Sequence, residues 1–263
     1  MSHAVAELER PARPTAPCGP WRRRNIAAGN FFFTYRNAIF PAIFVLAVPF
    51  LQPRIMWGGP GLDRLVTACG AWVALAGQWI RVTTIGFEYI ERGGKHKQVY
   101  ASRLVQGGVY GLTRNPMYAG NVFIALGVTM AAGSPLIYAV VLPLFLFVYQ
   151  AIIAAEEAYL RHRFGREYDE YCARVNRFLP SLRRIPEAFA GMRYDWKSSV
   201  RKELSTMAGL ASALILLPLW RTFFLRGWDA ARLQAPARLS WWLGAIALYG
   251  LLVHLKRRRR LFY

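Results

Sequence analysis

Six stretches of the chain are rich in hydrophobic residues and almost free of charge, and charged residues are crowded between them. This pattern is typical of membrane-spanning helices, because hydrocarbon excludes charge and a helix needs about 20 residues to cross about 30 Å. The pattern predicts helices at residues 38–51, 65–85, 117–132, 136–154, 204–219 and 240–255. Three of these runs are short, so they need flanking residues or longer neighbours. The sequence therefore predicts an all-α polytopic membrane protein with about six transmembrane helices.

The spacing and charge of the connecting segments predict how these helices are arranged. A short turn at 133–135 predicts that the third and fourth helices form an antiparallel hairpin. Of the 34 lysines and arginines, 27 lie in the termini and in segments 86–116 and 155–203. Because positively charged flanks stay in the cytoplasm, we expect both termini to be cytoplasmic. Arg81, inside the second run, is interpreted as a side chain that snorkels to the cytosolic end of its helix.

The ends of the chain differ in composition from its middle. Residues 1–25 are rich in proline and arginine and poor in apolar residues, which predicts a disordered basic tail. Residues 26–255 are expected to form one membrane domain with additional spans at 204–255. The basic tail at 256–263 is interpreted as a stop signal for the last helix, with a lipid-binding patch as the alternative.

Composition excludes several classes of function. A net charge of +20 would suggest nucleic acid in a soluble protein, but no basic face interleaved with stacking aromatic residues is present. The three cysteines and four histidines show no metal-ligand spacing. We therefore predict no nucleic-acid partner, no disulfide framework and no metal site.

Two polar segments, 86–116 and 155–203, adjoin the two free ends of the predicted hairpin. The free ends of a hairpin are neighbours, so these segments are expected to meet in space. A site built there would lie at the cytosolic membrane surface. It could admit a soluble molecule from one side and a lipid from the other.

The first segment has the features of a tight turn that leads into a helix. Gly107 and Gly108 allow the backbone to approach a ligand closely, while Asn115 and Pro116 suit the N-cap and first turn of the third helix. Arg114 stands at the positive end of the helix dipole. It therefore needs an anionic partner, either an acidic side chain or a ligand carboxylate.

The second segment begins with two adjacent carboxylates, Glu156 and Glu157. They could balance local charge or recognise a cationic ligand. Gly165 is a plausible C-cap for the preceding helix. Beyond it, apolar residues at spacings of three and four predict a short amphipathic helix that runs to Pro180.

These segments resemble the integral-membrane methyltransferases typified by isoprenylcysteine carboxyl methyltransferase and phospholipid N-methyltransferase. The first resembles the signature LVxxGxY followed by RHPxYxG, at Leu104, Val105, Gly108, Val109, Tyr110, Arg114, Asn115, Pro116, Met117, Tyr118 and Gly120. The second matches at Glu156, Glu157, Leu160, Phe164, Gly165, Glu167, Tyr168, Tyr171, Arg174, Val175 and Pro180. The resemblance covers residues 75–182, a methyltransferase core, and departs from the signature at Asn115, where the family has histidine.

The resemblance implies a cofactor and a set of site residues. The cofactor would be S-adenosylmethionine, and the acceptor a prenylated cysteine carboxylate, a phospholipid amine, a thiol or another lipophile. Cofactor-binding positions would be Leu104, Val105, Gly108, Tyr110, Arg114, Asn115, Pro116, Met117, Tyr118, Gly120, Glu156 and Glu157. Arg174 and Glu167 are catalytic candidates on the acceptor side.

Two other functions fit parts of the pattern. A membrane sterol or steroid reductase would also have a cytosolic cofactor site but would bind NADPH. No sequence signature for binding the phosphates of NADPH is evident. A transporter or assembly factor would need charges along an intramembrane path, where only Arg81 qualifies. Binding of S-adenosylmethionine or NADPH separates the three.

Overall fold

The computed structural model describes residues 20–47, 51–56, 58–87 and 99–258. Within these ranges the chain is helical and has no strand, apart from an isolated parallel bridge between Thr113 and Asn176. The helices are α1 (Pro20–Ala47), α2 (Pro60–Phe87), α3 (Pro116–Ala132), α4 (Leu142–Phe164), α5 (Arg166–Arg174), α6 (Ile185–Ala188), α7 (Trp196–Arg226) and α8 (Trp228–Arg257). A π-helical turn, Ile137–Val141, leads directly into α4.

The helices have the length and composition of membrane spans. Among the described residues, four helices are long and apolar enough to cross a bilayer: α2, α4 with its preceding turn, α7 and α8. Helix α3 is a shorter apolar helix. The prediction of an all-α polytopic membrane protein is confirmed. Each predicted apolar run overlaps one of the six longest described helices, and some of these helices extend well beyond their runs; α7, for example, begins at Trp196 rather than at residue 204.

Helix α1 begins at Pro20, inside the segment predicted as a disordered tail. Residues 1–19 and 259–263 lie outside the described part of the chain. Helix α1 packs against α4 through Gly29, where a Cβ would overlap the carbonyl oxygen of Ala151. Next to this contact, Phe33 packs with α4 side chains in a buried cluster. This contact anchors α1 on α4, and the helix extends from it in the N-terminal direction as far as Pro20.

The third and fourth helices are joined by a short turn, as predicted. Gly133 caps α3 in the left-handed conformation, with φ of 61°, and its N–H bonds to the carbonyl of Thr129 at 3.2 Å. Within this hairpin the two helices pack mainly on other partners, α3 on α2 and α4 on α1.

Helices α2 and α3 cross closely because glycines meet at their contact. Gly70 and Gly77 of α2 face Gly127 and Gly120 of α3, and each pair lies seven residues from the next. A Cβ on Gly70 or Gly77 would lie 2.6 Å from the carbonyl oxygen of its partner. Small residues at such positions let helix backbones approach within the membrane. This crossing fixes the start of α3 relative to the end of α2.

We call the end of the bundle where α2 and α4 end and α3 and α7 begin the site end. Here Arg81 of α2 forms a bidentate ion pair with Glu203 of α7, through Nε to Oε2 at 2.7 Å and Nη2 to Oε1 at 2.8 Å. Gln78, Asn121 and Thr206 also take part in this network. The interpretation of Arg81 as a snorkelling side chain is wrong, because the residue is buried against a carboxylate that the sequence pattern assigns to a loop.

A second buried ion pair joins the same two helices at the opposite end of the bundle, the far end. Asp63 of α2 accepts from Arg221 of α7. Arg221 also donates to Thr67 Oγ1 at 2.6 Å and to the carbonyl of Ala131 at 3.0 Å. Helix α7 is thus held to α2 by polar contacts at both ends and to α3 at the far end.

Candidate functional site

The two predicted site segments meet at the site end. Tyr118, in the first turn of α3, donates a hydrogen bond to Glu156 Oε1 of α4 at 2.6 Å. The ring of Tyr118 also packs edge-on against Tyr149 of α4, with ring centroids 5.4 Å apart. The hairpin therefore brings these residues together although 38 positions separate the two bonded side chains.

A cavity of about 700 Å³ opens at this contact. Its described lining comes from every long helix, from the loop before α3 and from α5. Of the predicted residues, it includes Leu104, Val105, Tyr110, Arg114, Asn115, Met117, Tyr118, Glu156 and Glu157. Residues missed by the sequence interpretation include Phe33, Arg36, Asn121, Tyr149, Ile152, Arg201, Lys202, Ser205, Thr206 and Lys256.

Three predicted cofactor positions do not line the cavity: Gly108, Pro116 and Gly120. Gly108 has φ of 56°, so it supplies the turn that leads to Tyr110. Pro116 occupies the first turn of α3, as expected. A Cβ on Gly120 would lie 2.6 Å from Cγ of Arg81, so this glycine serves the helix crossing. Each shapes the site without touching the cavity.

The loop before α3 is held by the segment after α5. The backbone N–H of Arg114 bonds to the carbonyl of Asn176 at 2.9 Å, within the parallel bridge. The N–H of Ser181 bonds to the carbonyl of Leu112 at 3.1 Å. These contacts show that the predicted amphipathic helix ends at Arg174 instead of continuing to Pro180, because the backbone of the following residues pairs with the loop.

Asn115 does not cap α3 with its side chain, contrary to the prediction. Its Nδ2 donates to Glu157 Oε1 at 3.3 Å and to the carbonyl of Arg177 at 3.2 Å. Glu157 is also paired with Arg177 at 3.0 Å and with Arg114 at 3.8 Å. The anionic partner that Arg114 requires is therefore an acidic side chain of α4. This cluster joins the two predicted segments.

Tyrosines of α5 form the outer wall of the cavity. The Tyr171 hydroxyl donates to the carbonyl of Tyr110 at 2.8 Å. Burial raises the pKa of Tyr171, so this hydroxyl stays protonated and remains a donor at neutral pH. Burial likewise raises the pKa of Tyr168. Both side chains pack with Val175 and hold α5 against the loop that precedes α3.

Arg174 and Glu167, the predicted catalytic pair, do not line the cavity. Both bond to one side chain of the loop: Arg174 Nη2 donates to Gln106 Oε1 at 2.9 Å, and Gln106 Nε2 donates to Glu167 Oε1 at 3.0 Å. Both residues are also exposed on α5. Direct contact with a reacting group therefore has no support in this geometry. They can act only through the position of the loop.

The cavity is strongly cationic. Its described lining contains two carboxylates, Glu156 and Glu157, and seven cationic side chains: Arg36, Arg81, Arg103, Arg114, Arg201, Lys202 and Lys256. Of these seven cationic residues, only Arg114 was a predicted site residue. Nothing in their spacing distinguishes those that face the cavity from those that face water.

Comparisons with known proteins agree with this arrangement. Residues 65–167 match the family described as "Phospholipid methyltransferase". The chain is 40% identical over 81 residues to "Probable protein-S-isoprenylcysteine O-methyltransferase" of both Oryza sativa subspecies, covering 30% of this chain and 42% of each relative. It is 32% identical over 115 residues to "Protein-S-isoprenylcysteine O-methyltransferase" of Schizosaccharomyces pombe, covering 40% and 46%. No solved structure gives a significant match.

A longer alignment joins the chain to a bacterial relative. "Cobalt-zinc-cadmium resistance protein CzcN" of Cupriavidus metallidurans is 30% identical over 175 residues, which cover 64% of this chain and 73% of the relative. The chain spans less than half the length of the rice and yeast relatives. The matched region 65–167 contains Tyr118 and Glu156 and the hairpin between them. The chain therefore belongs to the family of integral-membrane methyltransferases that includes the isoprenylcysteine and phospholipid methyltransferases.

Proposed function

We propose that this protein transfers a methyl group from S-adenosylmethionine to a lipophilic acceptor at the cytosolic membrane surface. The observation that carries the proposal is the contact between Tyr118 and Glu156, which joins the two family segments beside one cavity. The cavity volume of about 700 Å³ lies within the usual range for small-molecule sites. With this orientation, both termini would be cytoplasmic.

The residues of the cavity fit the charged and aromatic groups of this cofactor. Nε of Arg114 is buried and has no hydrogen-bond partner among the described residues, so it can bind a ligand carboxylate. Glu156 can accept from an ammonium group or from ribose hydroxyls. The rings of Tyr110 and Tyr118 can pack against adenine or the sulfonium.

The chemistry requires alignment more than acid or base groups. When bound, the cofactor supplies a methyl group on a positively charged sulfur, which becomes a neutral thioether after transfer. The chain must hold the acceptor atom in line with that methyl group at about 3 to 3.5 Å, which lowers the barrier by about 7 to 11 kcal/mol. Tyr110 and Met117 are buried and line the cavity, so they would help to exclude water from a bound ligand.

We expect Glu156→Gln to weaken S-adenosylmethionine binding by about tenfold to a hundredfold, because charge-assisted hydrogen bonds contribute about 1.5 to 3 kcal/mol. Equilibrium binding of radiolabelled cofactor to purified protein in detergent measures this change. The matched control is Glu187→Gln, since Glu187 is an exposed acid on α6 that pairs with Arg184 outside the cavity. Equal affinity of Glu156→Gln and the parent protein would contradict the proposed role of Glu156.

The same assay with NADPH tests the competing functions. Binding of NADPH without S-adenosylmethionine would favour a reductase. Binding of neither by well-folded protein would favour a transporter or assembly factor. Methylation of a membrane lipid extract, followed by mass spectrometry of the labelled product, then identifies the acceptor.

A positioning role for Arg174 makes a smaller prediction. Arg174→Ala removes the hydrogen bond to Gln106, one of several contacts that hold the loop before α3, so we expect a two- to tenfold rise in acceptor KM, corresponding to about 0.5 to 1.5 kcal/mol, with little change in kcat. The control is Arg166→Ala, because Arg166 pairs with Glu170 on the exposed side of α5. Initial rates at varied acceptor concentration measure both constants. Unchanged KM and kcat would show that Arg174 has no role in the reaction.

A further inference from the structure

The inner part of the cavity is formed where α2, α3 and α7 meet. Met117, Tyr118 and Asn121 line the cavity from α3, and their spacing places them on one helical face. Asn121 lies about one turn further into the bundle than Tyr118. Thr206 of α7 also lines the cavity, and Asn121 and Thr206 both accept hydrogen bonds from Arg81 of α2. The inner part of the cavity is therefore organised by Arg81.

This part of the cavity lies at the depth of a membrane span. Arg81 is about 9 Å from the end of α2 at Phe87, because an α-helix rises about 1.5 Å per residue, and α2 is long and apolar enough to cross a bilayer. Glu203 pairs with Arg81 through both carboxylate oxygens, so the positive charge of Arg81 is neutralised. Polar groups at this depth need partners from the protein or from a ligand, because hydrocarbon supplies none.

Arg81 determines which way the amide group of Asn121 points. A guanidinium has donor groups only, so the amide atom that contacts Nη1 of Arg81 must be the oxygen, Oδ1. The amide nitrogen, Nδ2, then points away from Arg81, and it bonds to none of the described residues. Because Asn121 lines the cavity, this nitrogen can donate a hydrogen bond to a ligand.

The hydroxyl group of Thr206 is oriented in the same manner. Its oxygen accepts from Nη2 of Arg81 at 3.4 Å. A hydroxyl that accepts in this way keeps its own proton for another acceptor. Asn121 and Thr206 thus both direct an acceptor atom to Arg81 and keep a donor for the cavity, and we call them the donor pair. Neither residue was predicted from the sequence.

The donor pair favours a ligand with an uncharged oxygen at this place. An alkyl group here would leave the donors unsatisfied, and an ammonium group has no lone pair to accept from them. A carboxylate could accept, but its buried charge would find no counter-charge in Arg81, which Glu203 already neutralises. Phe33 and Ile152, which belong to a buried apolar cluster, also line the cavity and suit a hydrocarbon part of the same ligand.

We propose that the donor pair binds an uncharged oxygen of the methyl acceptor, in a carbonyl, ether or hydroxyl group, and thereby selects the acceptor. This inference deepens the proposed function and rests on it, because it assigns the ligand as the methyl acceptor. The acceptor is favoured over the cofactor because Asn121 lies further than Tyr118 from the loop before α3, which carries most of the predicted cofactor positions. A site that hydrogen-bonds one oxygen of a substrate discriminates strongly against analogues that lack this oxygen.

The first test measures probe binding to full-length protein immobilised in a neutral maltoside detergent. The probes are methyl dodecanoate, tetradecane, which has the same chain length without oxygen, and dodecanoate. Bound probe is quantified by gas chromatography and mass spectrometry after subtraction of the amount retained by detergent alone.

Two variants remove one donor each and keep the contact with Arg81 or the shape of the side chain. Asn121→Asp keeps the oxygen that faces Arg81 and replaces Nδ2 by an oxygen, whereas Thr206→Val removes the hydroxyl group. Matched controls outside the cavity are Asn30→Asp, at an exposed position of α1, and Thr222→Val on α7.

We expect the parent protein and both controls to bind methyl dodecanoate more tightly than tetradecane and dodecanoate. Asn121→Asp should lose about tenfold in affinity for methyl dodecanoate, equivalent to about 1.4 kcal/mol, and Thr206→Val should lose less because its contact with Arg81 is longer. A residue that only supports Arg81 would tolerate Asn121→Asp, because the aspartate still accepts from the guanidinium.

The second test measures initial rates with a membrane lipid extract as the acceptor. Asn121→Asp should raise the KM for the extract about tenfold. It should not weaken S-adenosylmethionine binding, because the cofactor carries a positive sulfonium and the variant adds negative charge to the cavity.

Several outcomes would overturn the inference. Equal binding of methyl dodecanoate and tetradecane by the parent protein would show that the donors select no oxygen, and tighter binding of dodecanoate would show that the ligand is an anion. Weaker S-adenosylmethionine binding by Asn121→Asp would assign the donor pair to the cofactor. Probe binding does not require the cofactor, so a preference for methyl dodecanoate that depends on Asn121, without any binding of S-adenosylmethionine, would refute the proposed function and leave the oxygen site intact.

Discussion

Replacing Glu203 by alanine is expected to destabilise the protein by about 3–5 kcal/mol, because the change leaves the buried charge of Arg81 without its partner. Glu203 is fully buried, and its two carboxylate oxygens accept from Arg81 and Gln78. The alanine side chain can accept none of these hydrogen bonds. Unfolding in mixed micelles, titrated with an ionic detergent, measures the free energy of unfolding.

A matched control and a rescue separate this cause from a general effect of mutation. Asp229→Ala removes an exposed acid of α8 that pairs with Arg232, so the expected change is within about 1 kcal/mol. The double variant Arg81→Met with Glu203→Leu removes both charges and should be more stable than Glu203→Ala. A double variant no more stable than the single one would show that the unpaired arginine is not the cause.

Replacing Gly127 by leucine is expected to separate α2 from α3 and cost about 3 kcal/mol or more, at or above the upper end of the usual cost of overpacking. A Cβ at this position would overlap the backbone nitrogen of Ala74 and the carbonyl oxygen of Gly70. Backbone atoms cannot avoid the clash by a change of rotamer, as a flexible side chain can, so α3 as a whole must shift away from α2. The same unfolding titration measures the loss.

The control for this variant is Gly244→Leu on α8, where no described atom beyond the adjacent residues and the backbone of the same helix lies within 4 Å of the added Cβ. Here we expect no loss, because leucine favours helix over glycine by roughly 0.8 kcal/mol. Gly127→Ala should fall between the two leucine variants. Similar stabilities for Gly127→Leu and Gly244→Leu would mean that the close crossing of α2 and α3 does not determine the fold.

The hydrophobic pattern predicted the helices because a membrane span carries its own signal. A run without charge is visible in the sequence whatever it packs against. The ends of the helices carry no such signal. The first two turns of α7, Trp196–Glu203, carry polar residues that face the cavity and the buried Arg81. Their sequence pattern therefore predicts a loop instead of a helix.

The core of the candidate site was also predictable, because one short turn brings its two halves together. Tyr118 and Glu156 follow from the family signature on each side of the hairpin. The chemical role of Asn115 did not follow, since its partners, Glu157 and the carbonyl of Arg177, lie in another segment. Capping is a local property, whereas these hydrogen bonds depend on tertiary structure.

Contacts between residues more than a hundred positions apart could not be predicted from the sequence. Arg81 and Glu203, which form an ion pair, are 122 positions apart, and nothing in the sequence around either residue indicates the other as its partner. Lys256 and Arg201 are only 55 positions apart, but they line the cavity from helices outside the matched region and were also missed. Basic residues at helix ends are expected in any membrane protein, so their use in a site becomes visible only in three dimensions.

The two ion pairs between α2 and α7 have opposite polarity. At the site end α2 supplies the arginine and α7 the glutamate, whereas at the far end α2 supplies the aspartate and α7 the arginine. If α7 inserted in the reverse direction, Arg81 would meet Arg221 and Asp63 would meet Glu203, and each end would hold two like charges within the membrane. The two ion pairs therefore favour one direction of α7 relative to α2. The reverse direction is disfavoured because like charges would repel each other at both ends.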